Sequence, residues 1–111
     1  MTANNFEDIF QSLEKGVESV ATSSLKEYLS QAKTDGQRVL TDLKDNLERW
    51  AGEVETGAMT KEDLEFLLQE ETALDELVSL KQAGLAAVRI DKFRNSLINM
   101  VVDTLFGFIK V

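Results

Sequence analysis

The sequence contains no proline, no cysteine and no histidine, and only six glycines among its 111 residues. Each shortage closes something off. Without proline, no residue lacks the N–H that a helix ladder requires. Without cysteine there is neither a disulfide framework nor thiolate chemistry. With histidine missing as well, the usual ligand sets for zinc, haem and iron–sulfur clusters cannot be assembled, and a serine triad has no base. No EF-hand loop and no phosphate-cradling glycine loop is present. These gaps lead to the expectation of a protein with no metal and no cofactor that is not an enzyme. Strict alternation of apolar and polar residues never persists over a useful length, which leaves an all-α chain of one domain, 1–111.

The opening MTANNFEDIF has neither the basic nor the apolar region of a secretory signal, so a cytoplasmic location is expected. Net charge is −8. An acidic body argues against nucleic acid, whose phosphates need lysine and arginine, and disfavours simple docking on anionic lipid. The charge is uneven, with −5 over residues 1–55, −5 over 56–84 and +2 over 85–111. A weakly basic segment packed against acidic neighbours accounts for that spread.

What the chain does have is an apolar last quarter, Gly84–Val111. Lys92, Ser96, Asn99, Asp103, Gly107 and Lys110 fall three or four residues apart, the repeat of one helix stripe. The other faces carry Phe93, Leu97, Ile98, Val101, Val102, Leu105, Phe106, Phe108 and Ile109. These are the candidate core and interface residues, with Trp50 as a further anchor. Asp103 and Lys110 interrupt the segment before it reaches the ~20 apolar residues of a membrane span. A buried, central helix is the better reading.

From about Asn5 to Val54 the apolar residues also keep a helical repeat, with Gly16 on the presumed surface. Ser24 with Glu27 matches a capping box, and Thr34-Asp35-Gly36 could end one helix and start another. The apolar phase nevertheless runs through both. Gly57 can close a helix in the left-handed conformation, and Thr60 can cap the next with Asp63 at the third position. Beyond this turn the pattern continues from Leu64 through the small residues Ala83, Gly84, Ala86 and Ala87, at a spacing near the coiled-coil value.

Two nearly equal halves about one turn predict a long antiparallel hairpin, helices at about 5–54 and 61–110. Facing positions would then have numbers adding to about 115, as in any antiparallel helix pair closed by a turn. The apolar residues comply, since Phe10 meets Leu105, Leu13 meets Val102 and Leu47 meets Leu68. A hairpin covers one side of the C-terminal helix, and this one is apolar on two. Two hairpins are therefore expected to pair into a homodimeric four-helix bundle. The alternative is a monomeric three- or four-helix bundle with breaks near Ser24 or Gly36 and near Gly84.

Candidate chemistry is sparse. Glu70-Glu71 and Asp75-Glu76 are adjacent in sequence and so do not face each other on a helix. Asp103 sits among apolar residues, yet on the polar stripe. Arg89 and Arg94 could pair with Glu18 or Glu27. The functional expectation is a non-enzymatic oligomerisation or protein-interaction module, a scaffold or adaptor. The alternative is an amphipathic protein that opens onto lipid or another hydrophobic surface, with a membrane surface admissible but not favoured.

Overall fold

The computed structural model describes residues 6–72 and 77–108, and among them there is helix and connection but no strand. The helices are α1 (Phe6–Ser24), α2 (Leu29–Glu55), α3 (Lys61–Glu71), α4 (Val78–Gln82) and α5 (Ala87–Phe108), with a 3₁₀ turn at Lys26–Tyr28. α1 packs against α2 and α5, α3 against α5, and α4 against α2. The molecule measures 46 × 23 × 20 Å. At 27 residues, α2 is roughly 40 Å long at 1.5 Å per residue, so it runs nearly the full length. α3 and α4 in succession form the leg opposite it.

Neighbouring legs are antiparallel. Gln37 Nε2 donates to Glu14 C=O and Val17 lies against Gly36, so α1 and α2 run in opposite directions. Gly16 lies against Met100, and Leu25 beside Phe93, which does the same for α1 and α5. Asp35 meets Leu80 and Asn46 meets Glu71, pairing α2 with α4 and α3. The facing numbers of the long hairpin therefore survive, but the hairpin is folded double into an up-down-up-down bundle.

The rods expected to be continuous are bent. At Leu25–Tyr28 the chain turns without glycine, proline or a side-chain cap, and the Ser24–Glu27 box is not used. What replaces it is burial, since Leu25 is turned inward and is 2% exposed. At Gly84, φ is +88°. Leu85 N–H donates to Leu80 C=O and Gly84 N–H to Lys81 C=O, the Schellman arrangement. Leu80 and Leu85, the residues that such a cap brings together, are both buried. A third interruption, after Glu71, has no glycine to announce it. Gly36, by contrast, lies inside α2 and breaks nothing.

The central turn is built from short-range bonds. Ala58 N–H donates to Glu53 C=O and Gly57 N–H to Val54 C=O, with Gly57 at φ +82°. Thr60 and Asp63 then close a reciprocal capping box on α3. Met59 and Leu64, the two positions of a hydrophobic staple, are buried. Gly57→Val is expected to destabilise by roughly 1 kcal/mol or more, the cost of a left-handed β-branched residue. Gly52 lies mid-helix with open space around it, so Gly52→Ala should stabilise by up to about 1 kcal/mol. Urea midpoints that move in the same direction for both would contradict this assignment of the turn.

Gly16 is not the free surface position its spacing implied. A Cβ there would lie 2.4 Å from Met100 Sδ, so it marks a close approach of α1 to α5.

Candidate functional site

Among the described residues, the most buried charged group is Asp35 on α2, at 0% exposure. Its Oδ1 accepts from Ser79 N–H at 3.0 Å and its Oδ2 from Leu80 N–H at 2.8 Å. These are unpaired donors in the first turn of α4, whose own N-cap, Leu77, has no side-chain bond to offer. A carboxylate from another helix therefore does the capping, helped by the positive end of the helix dipole. Arg38, 44% exposed and 3.8 Å away, adds only a loose ion pair.

Arg94 on α5 does the converse for α3. Its Nε donates to Thr72 C=O and its Nη2 to Gln69 C=O, the latter at 2.6 Å. A guanidinium thus holds the last carbonyls of a helix that has no base in its final turn, where a cation is favoured. Arg94 also stands 3.8 Å from Asp91. The expected pairing with Glu18 or Glu27 gives way to this capping role. Together Asp35 and Arg94 explain the break after Glu71, since each stabilises one of the two helix ends it creates.

The residues singled out in the C-terminal segment fall into two groups. Phe93, Leu97, Ile98, Val101, Val102 and Leu105 are buried in a core shared with Trp50. Phe106 and Phe108 are half-buried at the end where α1 begins, and Ile109 lies outside the described residues. The second apolar side of α5, represented by Ile98 and Val102, is thus covered within the chain. A single hairpin would leave that side open, but folding the hairpin double supplies the extra neighbours, as in the alternative of a monomeric bundle. Val101 is 5% exposed within the single chain, so Val101→Asp would disrupt the core of the monomer itself. Lipid contact by this face would likewise need the bundle to open.

Asp103, Glu70 and Glu71 are exposed, and Asp75-Glu76 lies outside the described residues. Among the described residues, no three carboxylates are grouped where they could hold a metal ion, and no helix is long and apolar enough to cross a membrane. A cleft of about 210 Å³ is lined by Ser24, Leu25, Arg89, Lys92, Phe93 and Ser96. Its two cations sit beside the C-terminal end of α1, which has no base in its own last turn, and they complement that end of the dipole. Arg89 also lies 5.9 Å over the ring of Tyr28. On the outside, Phe66 is 61% and Val88 65% exposed.

The capping roles of Asp35 and Arg94 escape sequence reasoning because each partner lies 22 to 45 residues away. No protein-family model matches the chain, and neither the curated proteins nor the solved structures compared with it contain a match.

Proposed function

We propose that this chain is a non-enzymatic helical interaction module that associates with itself as a homodimer and serves as a scaffold or adaptor for other proteins. The observation that supports this reading is the use of two charges, the buried Asp35 and the half-buried Arg94. Asp35 and Arg94, which in an enzyme would be the groups to converge on a cleft, are committed to the ends of α4 and α3. What remains for recognition is surface. Phe66 stands out on α3 with Glu62 and Glu70 one turn either side, an aromatic contact ringed by acid that suits an apolar, basic patch on a protein partner. The cytoplasm is the setting in which to look for that partner.

Sedimentation equilibrium from low to high micromolar concentration, with cross-linking and affinity capture, tests the reading. A concentration-dependent mass rising from 12.4 kDa towards twice that value is expected. Phe66→Glu should weaken capture of a partner at least tenfold while shifting stability by no more than about 0.5 kcal/mol, as surface changes do. A steady monomer that retains no specific partner would sink the proposal.

A further inference from the structure

The two bends that fold the hairpin double lie at the same end of the bundle. Ser24 and Leu25, at the first bend, share a cleft with Arg89 and Phe93, just past the second, and Arg89 covers Tyr28. The facing pairs 16 with 100, 35 with 80 and 46 with 71 keep one antiparallel register on both sides of those bends. The molecule is thus two layers in series, α1 with α5 and α2 with α3 and α4, joined by two short connections at 25–28 and 83–86. Neither connection contains proline. The first is already a 3₁₀ turn, and the second depends on a single left-handed glycine.

We infer that the self-association surface is the one between these layers, and that the partner is a second copy of this chain opened at both bends. The inference rests on the self-association proposed above and specifies its geometry. With both connections helical, the register within each chain is unchanged and residues 6–55 form one rod of roughly 75 Å. Two opened chains then exchange layers, so α1 of one copy packs against α2 of the other. The contact of Gly36 with Val17 and the bonding of Arg94 to α3 are rebuilt between chains. The contact of Gly16 with Met100 and the capping of α4 by Asp35 stay within one chain. Exchange of identical elements needs no new complementary surface.

Gly84→Ala should drive the exchange. Alanine disfavours the left-handed bend and favours the straight helix, roughly tenfold per chain and so roughly a hundredfold in the dimer dissociation constant. The chain has no cysteine, so introduced pairs report cleanly. Val17→Cys with Gly36→Cys spans α1 and α2, where a Cβ at Gly36 would lie 2.6 Å from Val17 Cγ1. Gly16→Cys with Met100→Cys spans α1 and α5, where a Cβ at Gly16 would lie 2.8 Å from Met100 Cγ. Both separations fall within disulfide reach.

Each pair is oxidised in the Gly84→Ala protein, and in parallel in protein with Gly84 retained and refolded at millimolar concentration, so that a folding failure of one variant leaves the other readable. Non-reducing electrophoresis should show the 17/36 pair joining two chains and the 16/100 pair closing within one. A dimer in which both pairs close within a chain would overturn the exchange and leave self-association standing. A dimer in which the 16/100 pair joins chains would overturn it too, because the layers would then have come apart. Monomer under every condition would overturn both the exchange and the self-association.

Discussion

Asp35→Ala is expected to lower the stability of the fold by about 3 kcal/mol, more than any exposed carboxylate could. Two N–H donors, of Ser79 and Leu80, bond to this one side chain. A hydrogen bond to a charged partner contributes about 1.5–3 kcal/mol, and a buried donor left without a partner costs a similar amount. Against this, removing the carboxylate relieves the cost of burying a charge, and Ser79 N–H, only part-buried, can find water. The two effects partly offset, which is why the expected loss is nearer one strong bond than two. Asp35→Asn keeps one acceptor oxygen but turns an NH₂ group towards the other donor, and should fall between alanine and the wild type. Asp42→Ala, exposed on the same helix, should stay within about 0.5 kcal/mol. Urea denaturation gives the values, and hydrogen exchange at Ser79 and Leu80 gives the mechanism, since their protection should fall first. If Asp35→Ala and Asp42→Ala melt alike, the carboxylate is not capping α4.

The contrast between Asp35 and the central turn separates what could be read from the sequence from what could not. Gly57, Thr60 and Asp63 lie within seven residues, and each acts on backbone beside it, so composition and spacing carry the information. The helical class and the antiparallel register are equally legible, because they depend on periodicity alone. Asp35 acts across the bundle on a segment 44 residues away, and in sequence it looks like part of a Thr-Asp-Gly turn. Arg94 is similar, its carbonyl partners supplied only by tertiary packing.

The bends are hidden in the sequence for a different reason. Apolar phase runs unbroken through residues 24–28 and 83–87, so periodicity cannot distinguish a straight rod from two legs that both face one core. What decides it is local burial, as Leu25 and Leu85 turn inward, and neither is an unusual residue for a helix. Gly36 and Gly84 make the same point from the glycines. One permits two helices to touch and the other permits a left-handed turn, and no feature of their neighbours in sequence tells the roles apart.

Gly36→Leu is expected to cost about 3 kcal/mol or more, and Gly36→Ala to destabilise even though alanine is the better helix former. Intrinsic propensity favours alanine by about 1 kcal/mol, the gain expected at Gly52. At Gly36, however, the new Cβ would sit 2.6 Å from Val17 Cγ1 and 3.6 Å from Leu97 Cδ2. Val17 is 0% exposed, and its branched side chain is held to one rotamer in a helix. It cannot swing aside, so α1 and α2 must separate. Overpacking of this kind costs about 1–3 kcal/mol, which outweighs the propensity gain. Gly16 supplies the comparison within the same molecule. Its neighbour Met100 is half-buried and unbranched, able to repack with little loss, so Gly16→Ala should be close to neutral. A double-mutant cycle with Val17→Ala isolates the clash. Val17→Ala alone should destabilise by about 1–2 kcal/mol through the space it leaves, but the double variant should be more stable than the sum of the singles by about 1 kcal/mol or more, because the new methyl occupies that space. Strict additivity, or a Gly36→Ala protein more stable than the wild type, would mean that α1 and α2 do not meet at this glycine.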